Sequence, residues 1–299
     1  MRRSRSSLAF VLLVAVVGLV LGISPADAEG KGNGKGKGKG GTTSTVQWAP
    51  ADVAAITPGA EMLTNGAQCT ANFIFTDGAD VLIGYAAHCA GDGGAATDTD
   101  GCLAPSLPTD GSTQVEIEGA SQPGTLVYSS WETMQRVGET DPDTCLHNDF
   151  ALVRIDPADH GAVNPSIPYW GGPTALNTDG TGAGETVHSY GNSSLRLGIR
   201  ALSPKTGLGL GTTAGGWTHP VYTVSPGIPG DSGSALLDAD GAAAGVLSTL
   251  ALAPLAGSNN YSDLASALEY MHSNGGPAAA LALGTEAFDG AQLPLDLGL

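Results

Sequence analysis

The feature that most constrains the fold is the shortness of the apolar runs beyond residue 41, which clusters of glycine, proline and aspartate separate. Glycine accounts for 45 of the 299 residues and aromatic residues for only 5%, a composition that disfavours helical bundles. The runs are not interleaved with helical patterns, so a βαβ sheet is disfavoured too. The pattern predicts an all-β protein of short strands.

Ten strands are predicted, five in each half of this region. They cover residues 71–75, 81–85, 114–117, 124–128 and 151–155, then 186–190, 195–201, 221–224, 234–237 and 244–250. This division indicates two barrels. Apolar residues at helical spacing predict one closing helix over residues 261–272, with Ser262 or Asp263 as its N-cap. Residues 274–299 carry no recognisable chemistry and are expected to form a packed or loose tail.

The first 28 residues have the pattern of a secretory signal. Three arginines precede an apolar run at residues 8–23, and Ala26-Asp27-Ala28 offers the small residues of a cleavage site. The alternative is a retained membrane anchor, but the run is short for a helix that needs about 20 residues to span a bilayer. We therefore expect a secreted, extracellular protein without stable membrane insertion after signal removal.

Residues 29–45 are rich in glycine and lysine and are expected to form a flexible linker. A weaker alternative is a basic tether to an anionic wall polymer or to the acidic body of the protein itself. Beyond residue 41 the chain has five basic and 27 acidic residues, a net charge of −22. Such a surface repels nucleic acid and anionic membranes, and its simplest role is solubility. The chain is expected to be a monomer.

The segment P-G-D-S-G-S at residues 229–234 is the strongest candidate for chemistry. Ser232 lies between two glycines just before an apolar run, as a nucleophile on a tight loop would. Gly230 has no Cβ, so a substrate carbonyl could come close. The backbone N–H groups of Gly230 and Ser232 could then form an oxyanion hole. Glycine, aspartate and serine are also common turn formers, so the motif alone is only moderately specific.

A serine nucleophile needs a base and an acid that orients it. His88 falls where the apolar strand 81–85 ends, a setting that no other histidine of the chain has. Asp149 directly precedes the apolar run 151–155, so it is expected to be partly buried and to need a partner. Most other acids lie in polar turns and are interpreted as solvated.

Four cysteines in an exported chain indicate two disulfides: Cys69, Cys89, Cys102 and Cys145. Counting alone leaves three pairings open. A Cys69–Cys89 bond would tie the strand at 71–75 to the loop that carries His88, and would leave Cys102 with Cys145. A metal site is disfavoured because the spacings contain no C-x-x-C pair.

Three motifs now stand in the order His, Asp, Ser: A-A-H-C at 86–89, N-D-F-A-L-V at 148–153 and G-D-S-G-S at 230–234. With them the chain resembles the secreted bacterial trypsin-like (chymotrypsin-fold) serine proteases over residues 46–273. The resemblance implies two antiparallel Greek-key β-barrels with the active site between them and a C-terminal helix. It implies a serine endopeptidase that acts on protein or peptide substrates without a cofactor or a metal.

The resemblance also implies residue roles. His88 would be the general base and acid, Asp149 its orienting partner, Ser232 the nucleophile, and Gly230 with Ser232 the oxyanion hole. It favours the Cys69–Cys89 pairing. In animal members, the acid before the nucleophile pairs with a new α-amino group after cleavage at a basic residue. No Lys or Arg occurs between Gly41 and Cys69, so Asp231 needs another partner here.

The specificity pocket departs from the family as well. By resemblance its floor lies six residues before the nucleophile, at Pro226, and one wall is the strand that contains Ser248 and Leu250. Proline offers neither charge nor backbone N–H, so a preference for Lys or Arg is not expected. Leu250 would narrow the pocket and favour small or medium apolar side chains.

Other functions fit the residues less well. An α/β-hydrolase needs glycine two residues after the serine and places its acid and histidine later in the chain, whereas Ser234 stands here and both partners come earlier. A metal-dependent hydrolase lacks a His-Glu-x-x-His cluster. The serious alternative is a catalytically inactive, protease-like binding or surface protein, which the retention of all three motif residues disfavours.

Overall fold

The computed structural model describes residues 46–91, 100–251 and 257–292, all of which belong to one compact unit, residues 43–299. The predicted signal and linker lie outside the described residues. The unit is built of short strands with three α-helices among the described residues: α1 (Ser130–Val137), α2 (Pro142–His147) and α3 (Leu264–Ser273). Within this part of the chain no helix is long and apolar enough to cross a bilayer.

Fourteen strands make up the described architecture. They are β1 (Glu61–Thr64), β2 (Ala67–Thr70), β3 (Ile74–Asp77), β4 (Asp80–Tyr85), β5 (Gln114–Ile117), β6 (Gly124–Ser129), β7 (Ala151–Arg154), β8 (Ala183–Tyr190), β9 (Pro204–Leu210), β10 (Thr218–Thr223), β11 (Ala235–Leu237), β12 (Ala243–Ala251), β13 (Ser258–Asp263) and β14 (Ala280–Leu281).

The first sheet has eight strands in the order β14-β3-β4-β7-β6-β5-β1-β2, with antiparallel pairing throughout. Its two ends approach each other. Just past β2, the Asn72 N–H donates to the Gly84 carbonyl at 2.8 Å, and the Gly84 N–H donates to the Phe73 carbonyl at 2.9 Å. The chain thereby crosses from β2 to the end of β4, the strand that leads into the turn containing His88.

The second sheet is a closed barrel of six antiparallel strands in the order β10-β13-β12-β11-β8-β9. A small apolar cluster fills it, made of Val187, Val221, Leu236, Ala244, Leu247 and Tyr261. A larger cluster fills the first sheet and reaches α1, α3 and strands β8, β11 and β12 of the second barrel. The expected all-β, two-barrel fold is confirmed.

The strand predicted at 195–201 is wrong. The structure has two 3₁₀ turns there, Ser194–Arg196 and Arg200–Leu202, and the strand is β9, which follows them. Leu197 and Gly198 both adopt positive φ, 55° and 77°, which an extended strand cannot contain. Leu195, Leu197 and Ile199 are exposed, so their apolar alternation does not face a core.

The helix prediction needs correction at its start. Residues 261–263 end β13, and α3 begins only at Leu264, with the Asp263 carboxylate accepting from the Ser266 N–H at 2.6 Å as its N-cap. The short helices α1 and α2 were not predicted. The signal for α2 was present: Asp141 caps it and Pro142 occupies its first position.

The described part of the C-terminal tail, as far as residue 292, is packed against the rest of the unit. Strand β14 pairs with β3, and the Gly284 N–H donates to the Pro173 carbonyl at 2.9 Å. The half-buried Phe288 ring lies 5.3 Å from the His188 ring. It also covers Gly241, where an added Cβ would come within 2.3 Å of the Phe288 ring.

We expect Phe288→Ala to lower the free energy of unfolding by about 2 kcal/mol, because it removes a half-buried ring and leaves a gap over Gly241. Urea titration measures the change. The matched control is Leu283→Ala in the same segment, whose side chain is 51% exposed and should change stability by less than about 0.5 kcal/mol. Equal effects of the two substitutions would contradict a packed tail.

Candidate active site

Ser232 lies on a tight loop between β10 and β11, and glycines on both sides give this loop its shape. Gly230 and Gly233 have φ of 95° and 88°, which disfavour any residue with a side chain. A Cβ on Gly233 would lie 2.5 Å from the Thr70 carbonyl oxygen and 3.0 Å from the Ala86 nitrogen. The loop therefore packs directly on the ends of β2 and β4. The contact at Ala86 lies two residues before His88.

Hydrogen bonds from both barrels hold this loop. Thr70, at the end of β2, donates its N–H to the Ser232 carbonyl and its hydroxyl to the Gly230 carbonyl, each at 2.7 Å. From the other side, the Gly233 N–H donates to the Leu247 carbonyl on β12, also at 2.7 Å. Ser232 itself remains half-exposed.

His88 lies in a 3₁₀ turn, Ala87–Ala90, that follows β4. The Cys69–Cys89 disulfide fastens this turn to β2, next to Thr70. The Asp149 carboxylate holds the histidine at two points: Oδ1 accepts the His88 backbone N–H at 2.8 Å, and Oδ2 lies 2.6 Å from Nδ1. Nε2 is buried and has no hydrogen-bond partner within the described part of the chain.

Asp149 is buried between the end of α2 and β7. Its Oδ2 also accepts the Ser248 hydroxyl of β12 at 2.6 Å. Burial alone would raise the pKa of Asp149, but the His88 ring and the hydrogen bonds from His88 and Ser248 outweigh it and hold this pKa below the usual value. The carboxylate is thus ionised near neutral pH.

The two N–H groups expected to form the oxyanion hole, those of Gly230 and Ser232, donate to no acceptor among the described residues. The site therefore combines a half-exposed hydroxyl, an imidazole with one unpartnered nitrogen, and two unpartnered N–H donors.

Asp231, completely buried beside Ser232, has its partners within the chain. The Arg196 guanidinium contacts both carboxylate oxygens, with Nη2 2.5 Å from Oδ2 and Nη1 3.2 Å from Oδ1. Lys205 Nζ lies 3.1 Å from Oδ2, and the N–H groups of Ser193 and Ile228 donate to the same carboxylate. Desolvation lowers the pKa of Lys205 although Asp231 counteracts it. No cleaved N-terminus is needed as a counter-charge in this arrangement.

A second histidine–carboxylate pair shows what distinguishes the site. His219, fully buried in the second barrel, has Nε2 2.9 Å from Asp263 Oδ2 and Nδ1 3.0 Å from the Thr212 hydroxyl. Both ring nitrogens are occupied, so this histidine has no nitrogen left to accept a substrate proton. Its sequence context gave no signal of this pair.

The structure places the three predicted pocket residues in different environments. Pro226 is exposed, so its place as a pocket floor stays a prediction. The Ser248 hydroxyl donates to Asp149, a contact that sequence analysis missed. Because its hydroxyl is engaged there, Ser248 would contact a substrate through its backbone. The side chain of Leu250 lies outside what the structure describes. Asn259 connects the segment of the predicted floor to the strand of the predicted wall: its Oδ1 accepts the Gly227 N–H at 2.8 Å, and its Nδ2 donates to the Thr249 carbonyl at 3.4 Å.

Both expected disulfides, Cys69–Cys89 and Cys102–Cys145, are present. They account for the two places in the described residues where cysteine, histidine or aspartate side chains lie close enough to share a metal ion. A sulfur bonded in a disulfide is not a thiolate ligand, so neither group has the donors of a metal site.

No protein-family model and no curated protein sequence matches the chain. Among solved structures, Protease A of Thermobifida fusca is similar at 18% identity and a TM-score of 0.49, covering 77% of this chain and 100% of that one. Nocardiopsis protease is 19% identical with a TM-score of 0.45, covering 76% and 98%. Cellulomonas bogoriensis chymotrypsin is 18% identical with a TM-score of 0.42, covering 72% and 94%.

In structure, as in its three motifs, the chain thus resembles bacterial chymotrypsin-fold serine proteases. A likeness at these identities concerns the fold alone. The chemistry depends on this chain's own residues.

We expect Arg196→Met to lower the free energy of unfolding by about 3 kcal/mol, because it leaves the buried Asp231 carboxylate with only Lys205 to balance it. Thermal and urea unfolding measure this. Arg200→Met is the control: this neighbouring arginine forms an exposed ion pair with Glu118 at 3.0 Å, worth less than about 1 kcal/mol. A similar small loss for both variants would show that Arg196 is not needed beneath the loop.

Proposed function

We propose that the protein is a serine endopeptidase with His88, Asp149 and Ser232 as its catalytic residues. The observation that carries the proposal is the pair of hydrogen bonds between Asp149 and His88, one to the backbone N–H and one to Nδ1. They leave Nε2 as the unpartnered ring nitrogen among the described residues. This nitrogen belongs to a turn on which the Ser232 loop packs. The same arrangement is what a serine nucleophile requires for activation.

In the first half of the reaction, Ser232 Oγ attacks the carbonyl carbon of a peptide bond while its proton passes to His88 Nε2. The carbonyl oxygen becomes negative in the tetrahedral intermediate. The N–H groups of Gly230 and Ser232 would bind it, each contributing about 3 kcal/mol to lowering the barrier. His88 then donates the proton to the leaving amine, the C–N bond breaks, and an acyl-enzyme remains on Ser232.

In the second half, water takes the place of the amine. His88 Nε2 accepts a proton from the water as its oxygen attacks the acyl carbon. The Ser232 ester bond then breaks, and the proton returns to Ser232 Oγ. The carboxylic acid product leaves and the enzyme is restored without any cofactor.

Asp149 contributes by position and charge. It fixes the tautomer in which the proton of the neutral ring is on Nδ1, so that Nε2 is the basic nitrogen. Its ionised carboxylate also stabilises the imidazolium formed during each half of the reaction. The hydroxyl of Ser248 and the backbone N–H of His88 hold the carboxylate in this orientation.

The setting of the enzyme is proposed from its covalent chemistry. Two disulfides favour an oxidising compartment, and the signal pattern at residues 1–28 favours export. The substrates would be extracellular proteins or peptides. The acidic surface disfavours nucleic acid as a partner.

The alternative is an inactive, protease-like binding protein. Such a protein would have no need of an ionised carboxylate aligned with His88 or of two glycines with positive φ around Ser232, all of which this chain retains.

A serine-reactive phosphonate should label the secreted protein, and Ser232→Ala should abolish both labelling and peptide hydrolysis. The reason is that the reagent bonds only to an activated hydroxyl. Mass spectrometry of the adduct locates the site. Ser112→Ala, which removes an exposed hydroxyl that donates to Asp110 far from the loop in sequence, is the control and should remain labelled at Ser232. An unlabelled parent protein would favour the inactive alternative, and labelling that persists in Ser232→Ala would exclude the proposed nucleophile.

Hydrolysis should fall as the pH is lowered from about 8 to about 4, because protonated His88 cannot accept the Ser232 proton. The pKa of Asp149 is held below its usual value, so protonation of this carboxylate does not account for a loss that begins near neutral pH. The dependence of kcat/KM on pH measures it, with unfolding monitored at each pH. Constant kcat/KM across the range would rule out His88 as the base.

A further inference from the structure

We propose that Ser193 is a positioning residue that sets the direction of the Gly230 N–H and so assembles the oxyanion hole. The inference rests on the proposed function. It starts from one contact: the hydroxyl of Ser193 donates to the carbonyl of Pro229 at 2.6 Å. Ser193 is buried, and it belongs to the turn after β8, 36 residues before the proline that it contacts.

The Pro229 carbonyl and the Gly230 N–H belong to the same planar peptide unit. That unit is trans, so the two groups point in opposite directions. A donor that fixes the Pro229 carbonyl on one side therefore fixes the Gly230 N–H on the other. The Gly230 N–H has no acceptor of its own among the described residues, so no bond at the N–H itself holds it in place.

Gly230 cannot maintain this direction by its own conformational preference. Glycine adopts positive and negative φ with similar ease, and Gly230 is at φ 95°. The peptide unit before it could therefore turn over at small cost and present its carbonyl where the N–H is needed. The Ser193 hydroxyl is the contact that opposes this rotation.

The second donor of the hole is fixed differently. The Ser232 N–H shares its peptide unit with the Asp231 carbonyl, which accepts from the N–H of Ser234 at 3.0 Å and from the Ser234 hydroxyl. These hydrogen bonds are local, since Ser234 lies three residues after Asp231. The Gly230 N–H instead depends on Ser193, which is remote in sequence and therefore harder to identify from the sequence.

The hydroxyl of Ser193 is itself oriented. It accepts the Leu195 N–H at 3.2 Å, which leaves its proton for the Pro229 carbonyl. The Ser193 backbone N–H donates to Asp231 at 3.1 Å, and Arg196 in the same turn pairs with that carboxylate. Ser193 thus connects the buried ion pair to the peptide unit that provides the oxyanion donor.

The test compares Ser193→Ala with the parent enzyme on one peptide substrate. We expect kcat to fall at least tenfold and KM to change less than twofold, because the lost donor acts on the transition state rather than on the bound substrate. A peptide aldehyde, whose adduct with Ser232 carries an oxyanion, should bind more weakly by about the same factor as kcat falls. The corresponding product peptide, prepared as its uncharged C-terminal amide so that it carries no oxyanion, should bind equally well.

Two variants control for effects on the turn itself. Ser194→Ala removes the adjacent hydroxyl, which donates to Gln68 at 2.9 Å and does not touch Pro229, and should leave kcat unchanged. Ser193→Thr retains the hydroxyl and should restore most of kcat. The proposal is overturned if Ser193→Ala keeps the parent kcat, if aldehyde and product affinities fall together, or if Ser193→Ala does not fold while Ser194→Ala does. Failure of the proposed function would appear separately, as a parent protein that neither hydrolyses peptides nor reacts with the phosphonate.

Discussion

The buried carboxylate of Asp231 is the constraint on which the Ser232 loop depends. A carboxylate with no exposure to water is costly unless cations and hydrogen-bond donors surround it. Here Arg196 and Lys205 supply two positive charges, and two backbone N–H groups complete its partners. Because Asp231 directly precedes Ser232, satisfying this charge also fixes where the loop runs. Both cations belong to the chain itself, at residues 26 and 35 positions before Asp231.

The two barrels meet at this loop through a short series of contacts. Thr70 donates two hydrogen bonds to the loop, the neighbouring Cys69 is bonded to Cys89, and Cys89 adjoins His88. From the second barrel, Ser248 reaches back to Asp149 in the first. Each barrel therefore holds residues of the other barrel in place, and the relative placement of His88 and Ser232 does not depend on any single strand.

Comparison of the two buried histidine–carboxylate pairs separates structural from chemical roles. The distances are similar, 2.6 Å for His88–Asp149 and 2.9 Å for His219–Asp263. The difference lies on the other ring nitrogen, which Thr212 occupies in His219 and which has no partner in His88 among the described residues. An unsatisfied buried nitrogen is unfavourable for stability, and its presence beside the half-exposed Ser232 loop is what favours chemistry at His88.

The sequence alone determined the strand-rich character and the candidate residues His88, Asp149 and Ser232. These follow from local signals: short runs between turn formers, glycines around a serine, and an acid heading an apolar strand. Sequence could not identify Arg196, Lys205, Ser193 or Ser248 as partners, nor exclude a strand at 195–201. Those outcomes depend on contacts between residues up to 99 positions apart and on two consecutive positive φ values. Only the folded chain decides them, because a hydrogen bond depends on where two atoms lie in space and not only on the types of residue that carry them.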